Sequence, residues 1–272
     1  MSVDLEAAFA AVAETGPLTH CITNDVTVGD VANVVLYWGG LPVMADDHQD
    51  AQEMVLGAQS LLVNMGTVSD AGLETSLATG QAANENDTPV VVDPVGVGAT
   101  PTRDEAAERL VTDVDPAIVS GNYGEITALA GGTAEVRGVE SVGDYDEIAP
   151  TAQALADATG AVVVASGETD VVATADRAFE VEAGHEMMGE FVGTGCMLGA
   201  TNAVFAGSMA DPLDAALAST LVYGRAGELA AAGEYGDYEG PASYRTAFLD
   251  ATAGIDAESA ATDDERVTEL DV

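Results

Sequence analysis

Lysine is absent from these 272 residues, and seven arginines face 47 aspartates and glutamates, so the formal net charge at pH 7 is −40. A chain this acidic excludes nucleic acid and anionic membrane as binding partners. The same charge repels itself and destabilises the compact state in dilute buffer. Salt at ~1 M shrinks the Debye length to about 3 Å and removes most of that cost. The composition therefore predicts a halophilic protein, adapted to a salt-rich cytoplasm; an ordinary acidic protein would still carry some lysine.

Cysteine is scarce too. Cys21 and Cys196 form no disulfide framework, and the scattered His20, His48 and His185 add no ligand-like spacing. Aromatics make up 5% of a chain that is 47% hydrophobic, so Ala, Val and Leu must fill a sizeable core. No stretch approaches ~18 uncharged apolar residues, which excludes a spanning helix. Met-Ser-Val-Asp-Leu-Glu at the N-terminus lacks the basic region and apolar run of a signal peptide. The expectation is a soluble, cytoplasmic protein.

What is present is an alternation of strands and helices. Leu61-Leu62-Val63, Val90-Val91-Val92, Ala117-Ile118-Val119, Val162-Val163-Val164 and Val171-Val172 are short apolar runs. Between them, Val68 to Ala83 and Arg103 to Val114 carry helical periodicity. Strands apolar on both faces predict an α/β fold with a buried, mostly parallel sheet and helices on each side. After Gly193 the strand signal stops, and Met197 to Gly207, Pro212 to Ala232 and Ser243 to Ala253 predict a helical C-terminal third. Glu168-Thr169-Asp170 between two Val runs predicts a hairpin at a sheet edge. No linker divides the chain, so residues 1–255 are expected to form one domain, with 256–272 an acidic, mobile tail or loosely held helix.

The most informative stretch is Phe-Val-Gly-Thr-Gly-Cys, Phe191 to Cys196, where a loop becomes a helix. The unpartnered N–H groups of such a helix start, together with its dipole, favour an anion. Cys196 falls in the first turn, where that field favours a thiolate. With Gly199 the segment also matches a dinucleotide-binding glycine pattern, but such a pattern belongs after the first strand of a βαβ unit, and here helices follow.

In open α/β sheets ligands bind beyond the carboxyl ends of strands. Asp93-Pro94-Val95-Gly96-Val97-Gly98 follows one predicted strand, as a metal–phosphate site would, unless Asp93 merely caps the turn. Asn122 and Glu125 follow another and share one helix face; Glu125 alone reads as a capping acid, but beside Asp93 it could share a Mg²⁺. Ser166 follows a third and is either a phosphate donor or a turn residue. Thr67 is placed to cap a helix. Met44 beside a strand end is core or ligand contact.

Taken in order, these segments resemble the hydroxyethylthiazole kinases of the ribokinase-like superfamily. The residues carrying the resemblance are His20-Cys21-Ile22-Thr23-Asn24, Pro42-Val43-Met44-Ala45, Asn64-Met65-Gly66-Thr67, Asp93 to Pro101, Gly121-Asn122 with Glu125-Ile126, Gly167 to Val171, Gly193-Thr194-Gly195-Cys196 and Gly240-Pro241-Ala242-Ser243. They span about residues 15 to 255.

The resemblance implies a three-layer αβα sandwich and Mg²⁺- and ATP-dependent phosphorylation of the alcohol of 4-methyl-5-(2-hydroxyethyl)thiazole, in thiamine salvage. It implies Cys196 at the substrate hydroxyl, assisting its deprotonation or orienting it. It implies Met44, Gly193, Asn24 and Gly66 around the thiazole, with Asp93 and Glu125 at Mg²⁺. It implies Ser120, Asn122, Ser166, Thr194 and Gly195 on the nucleotide side. It also implies a homotrimer with sites between subunits. One departure stands out: Ser120 occupies a place where the family usually has a phosphate-contacting Arg, and Arg103 and Arg225 are candidate stand-ins. Two other readings stand beside this one. Other ribokinase-like enzymes, a pyrimidine kinase or a nucleotide-dependent hydrate dehydratase, typically carry Asp where this chain has Cys196. A non-catalytic homologue would bind thiazole or nucleotide only.

Overall fold

Short β-branched runs become strands, and the periodic segments between them become helices, in a computed structural model that describes residues 3–131, 136–137, 140–141, 148–261 and 265–272. The order begins α1 (Leu5–Thr15), β1 (Leu18–Ile22), α2 (Val28–Tyr37), β2 (Leu41–Val43), α3 (His48–Val55), β3 (Ser60–Asn64), α4 (Asp70–Glu85), β4 (Val90–Asp93), α5 (Pro101–Asp113), β5 (Ile118–Asn122) and α6 (Tyr123–Leu129). A short antiparallel pair, β6 (Val136–Arg137) and β7 (Glu140–Ser141), precedes α7 (Ile148–Thr159), β8 (Val162–Ser166), β9 (Asp170–Ala173) and β10 (Ala178–Val181). A 3-10 turn (Glu186–Glu190), α8 (Thr194–Ala206), α9 (Pro212–Ala231), α10 (Pro241–Gly254), α11 (Ala257–Ala260) and β11 (Val267–Leu270) complete it.

Nine strands form one sheet in the order β11-β10-β9-β8-β5-β4-β3-β1-β2. From β2 to β8 every pairing is parallel; β9, β10 and β11 add antiparallel strands. Successive side chains of a strand point to opposite faces. Leu62, Val91 and Ile118 accordingly pack with α1, α2, α8, α9 and α10, whereas Leu61, Val63, Val90, Val92 and Val119 pack with α3 to α7. This three-layer sandwich is the expected α/β arrangement. Few aromatics suffice because they are concentrated: Phe9, Trp38 and Phe205 meet pairwise at 5.8–6.4 Å beneath α1.

Three local expectations change. Thr67 does not cap α4; Ser69 does, its hydroxyl accepting from the Gly72 N–H, while Thr67 Oγ1 accepts from the Asp25 N–H. The Glu168–Asp170 turn joins antiparallel β8 and β9 as a hairpin, but β10 and β11 lie beyond it, so it is not the sheet edge. The acidic segment after residue 255 supplies α11 and the edge strand β11. Distant partners hold it: Arg177 pairs with Glu269 at 2.7 Å, and Arg266 reaches Glu228 of α9 at 3.2 Å and the Glu182 carbonyl at 2.9 Å. Composition cannot see such partners, because they lie some 40 to 90 residues away in sequence.

Asp170, at the start of β9, accepts the Gly167 N–H at 3.0 Å. Burial nevertheless raises its carboxyl from an ordinary 3.8 to about 7. Folding then favours the protonated form, so the stability linked to this group is fully present below about pH 4 and is lost as pH rises toward about 7. Asp170→Asn keeps an acceptor for Gly167 and carries no charge. Its melting temperature should exceed the parent's by a few degrees at about pH 8, and the gap should close at about pH 4. Thermal melts of both proteins across that range check it; a constant gap overturns the assignment.

Candidate active site

The strand order reverses at β1 and β3, since β2 lies on one side of β1 and all later strands lie on the other. A crevice at such a switch point collects the loops beyond the carboxyl ends. Asn24 follows β1, Asn64 ends β3, Asp93 ends β4, and α8 approaches from the layer above.

These residues touch. Asn24 Nδ2 donates to Thr27 Oγ1 at 2.8 Å and Asn64 Oδ1 at 2.9 Å, and lies 3.5 Å from Cys196 Sγ. Asn64 Nδ2 donates to Asp93 Oδ2 at 2.5 Å, and Asn64 Oδ1 also accepts the Gly66 N–H. A polar relay thus runs Cys196–Asn24–Asn64–Asp93. Asn24 Oδ1 accepts from the amides of Val26 and Thr27, which shapes the turn into α2.

Two glycines make the closeness possible. A Cβ on Gly66 would lie 2.8 Å from Asn24, and one on Gly199 would lie 3.3 Å from Asp93 Oδ2. Gly193, with φ +106°, is the N-cap of α8 and has no side chain to cap it. The first-turn amides are left to an anion, and space is open beside Gly195. Tyr223 fixes this turn by donating to the Thr194 carbonyl at 2.7 Å, and Trp38 Nε1 donates to Thr201 further along α8.

The electrostatics correct one expectation. Burial, and next the Asp93 charge, push the Cys196 thiol up to about 11, against hydrogen bonds from Thr27, Asn64 and Asn24. Cys196 therefore stands as a protonated thiol at neutral pH, not the thiolate that its helix position favours. Asp93 is itself held well above the usual carboxylate range, first by burial and then by Glu125. Burial raises Glu125 as well, opposed by the Gly96 and Asn122 amides and by Arg103. Glu125 Oε1 accepts the Gly96 N–H at 2.6 Å and Oε2 accepts the Asn122 N–H at 2.9 Å, which completes a capping box on α6. Glu125 is thus the capping acid of α6, and its charge also reaches Asp93.

The other residues singled out fall as follows. Met44 is half-buried, and the neighbouring Ala45 carbonyl is held by His20 Nε2 at 2.7 Å. Asn122 and Ser166 are half-buried at the ends of β5 and β8. Ser120 is 3% exposed, and its hydroxyl accepts from Asn202 Nδ2 at 3.0 Å. That leaves Ser120 no exposed face for a phosphate. Arg225 is spent on Glu228 and on the Ala260 and Ser259 carbonyls, so it is no stand-in either. Residues not singled out for a role include Asn64, Thr27, Tyr223 and Asn202. Asn64 could have been found: it is the polar residue closing Ser-Leu-Leu-Val-Asn.

Asn202 ties Ser120 of β5 to Ser219 of α9, whose hydroxyl donates to Asn202 Oδ1 at 2.7 Å. All three are buried. Asn202→Leu should cost about 1–3 kcal/mol by removing its hydrogen bonds to two buried hydroxyls, of which Ser219 keeps the Ala216 carbonyl as an acceptor. Denaturant unfolding in molar KCl measures it, and an unchanged midpoint would show that the triad contributes nothing.

The profile of the Hydroxyethylthiazole kinase family matches residues 9–258. The chain belongs to the hydroxyethylthiazole kinase family. Hydroxyethylthiazole kinases of Natronomonas pharaonis and Haloquadratum walsbyi are each 57% identical to it, over 94% and 93% of this chain and 92% and 88% of theirs. The solved hydroxyethylthiazole kinase of Pyrococcus horikoshii superposes with a TM-score of 0.86 at 30% identity, covering 98% of this chain and 99% of that one. A Staphylococcus aureus pyridoxal kinase, at 13% identity, TM-score 0.59 and coverage of 78% and 87%, shares the fold alone.

Proposed function

We propose that this protein transfers the γ-phosphoryl group of ATP to the primary alcohol of 4-methyl-5-(2-hydroxyethyl)thiazole, the salvage step of thiamine synthesis. The observation that carries the reading is the meeting of Cys196, Asn24, Asn64 and Asp93 under the uncapped start of α8. Phosphoryl transfer asks mainly for positioning and charge stabilisation. The amides of Thr194, Gly195 and Cys196 would receive the transferring group. Cys196 would orient the hydroxyl, while Met44, Asn24, Gly66 and Gly193 would line the alcohol pocket. Asn122 and Ser166 would lie on the nucleotide side.

Asp93 and Glu125 are the residues that would hold Mg²⁺. The fit rests on two buried acids whose charges oppose one another. Among the described residues no three His, Cys, Asp or Glu side chains form a metal cluster. Mg²⁺ suits such a place because it is commonly held by one or two carboxylates, with phosphate and water completing the shell; it would neutralise charge on the phosphates. The homotrimer is what the family resemblance implies; Leu41 on the edge strand and Leu36 on the adjoining helix, 55% and 53% exposed, offer apolar surface for contact between copies. No helix among the described residues is long and apolar enough to cross a membrane, in keeping with a cytoplasmic enzyme.

Mass spectrometry of a reaction containing ATP, Mg²⁺ and the thiazole alcohol in molar KCl tests the reading. Phosphorylated thiazole is expected. Folded protein that makes none would shift the assignment to another alcohol, or to a homologue that only binds.

A further inference from the structure

Arg103 lies in the first turn of α5, and its guanidinium ends at the site without an ion pair to a carboxylate among the described residues. Nη1 donates to the Val95 carbonyl at 2.6 Å and to the Met65 carbonyl at 3.2 Å, and Nη2 donates to the Gly66 carbonyl at 3.0 Å. The acceptors come from two loops. Met65 and Gly66 follow β3, and Gly66 packs on Asn24; Val95 follows β4, in the loop that begins at Asp93. A planar guanidinium fork satisfies several carbonyls at fixed angles, which the point charge of a lysine cannot.

The surroundings are built for this fork. Gly96, at φ +76°, passes so near that a Cβ there would lie 3.2 Å from Arg103 Nη1. The Gly96 amide in turn donates to Glu125. The helix start is pinned as well: Thr100 caps α5, accepting the Arg103 N–H, and Asp104 accepts the Gly98 N–H at 2.7 Å. One side chain therefore joins the wall of the alcohol pocket to the loop carrying Asp93.

We propose that Arg103 is a positioning residue of the reaction, tying the Gly66 turn to the Asp93 loop so that the alcohol and the phosphate-binding groups keep a fixed spacing. It acts through backbone carbonyls and is not a stand-in for a phosphate-binding arginine. The assignment rests on the reading of Gly66 as a wall of the alcohol pocket.

Arg103→Lys and Arg103→Gln separate the two roles, because lysine keeps the charge and loses the fork. Both variants, in molar KCl, should lose roughly ten- to a hundredfold in kcat/KM for the alcohol. The KM for MgATP should stay within about threefold of the parent. Hydrogen exchange at the amides of residues 65–67 and 95–98 should quicken in both variants, with the rest of the sheet unchanged. An Arg103→Lys variant near parental activity, with Arg103→Gln raising the nucleotide KM, would make Arg103 a phosphate contact and overturn the proposal. So would lost activity without faster exchange in those loops, or failure of Arg103→Lys to fold, which would assign Arg103 to the global fold. If the parent itself transfers no phosphoryl group, the functional reading fails, and the exchange measurement still decides the clamp.

Discussion

Replacing Cys196 by alanine is expected to lower turnover roughly ten- to a hundredfold, the scale on which misplaced reacting groups act, while the KM for nucleotide barely moves. The thiol stands at the end of the relay through Asn24 and Asn64 to Asp93, 3.5 Å from Asn24 Nδ2. Burial, and next the Asp93 charge, push it up to about 11. A base of that strength is almost wholly protonated at neutral pH, so turnover that depended on its thiolate would climb about tenfold per pH unit up to that value. An orienting thiol imposes no such climb. We therefore expect parental kcat to be nearly flat between about pH 7 and about pH 9, with Cys196→Ser recovering much of what Cys196→Ala loses. Steady-state kinetics of the three proteins in molar KCl, with both substrates saturating, make the distinction. A steep rise with pH, abolished in both variants, would show that the thiolate does the chemistry.

The sequence carried the fold because its signals are local. Runs such as Val90-Val91-Val92 are apolar on both faces, and only a sheet covered on two sides buries them. Observed helices differ from the predicted spans by at most three residues at an end, as for α5, expected from Arg103 and found from Pro101, and α8, expected from Met197 and found from Thr194. Elements that depend on distant partners were hidden. β11 exists because the β10 backbone and Arg177 meet it and Arg266 beside it reaches Glu182 and Glu228, while Val267 to Leu270 alone carries little β signal. The site divides the same way. Cys196, Asp93 and Glu125 stand out as candidates because each follows a strand or opens a helix, whereas Asn24 enters only through the family resemblance. Ser120 was misjudged as a nucleotide contact because its partner, Asn202, lies 82 residues away on α8. The protonation of Cys196 was misjudged because burial, which no motif displays, outweighs the favourable helix start.

Stability should rise steeply with salt, and the arrangement of the arginines gives the reason. Arg109, Arg177, Arg225, Arg245 and Arg266 each meet an acid, and Arg225 and Arg266 converge on Glu228. Pairs of this kind are exposed or half-exposed and contribute ~1 kcal/mol or less apiece, which salt reduces further. If they dominated, molar KCl would destabilise the fold. The opposing term is larger in number: a net charge of −40 remains after every arginine is counted. At about 0.1 M salt the Debye length of ~10 Å lets neighbouring surface acids repel one another, whereas at about 1 M it is ~3 Å and most of that repulsion is gone. Screening must therefore gain more from the acids than it loses from the pairs. The melting temperature is expected to climb from about 0.1 M to about 2 M KCl, most steeply at the low end, where the Debye length shrinks fastest. Tetramethylammonium chloride should reproduce most of the gain if screening, and not K⁺ binding, is the cause. A melting temperature that is flat or falling with salt would mean that the ion pairs outweigh the like-charge repulsion.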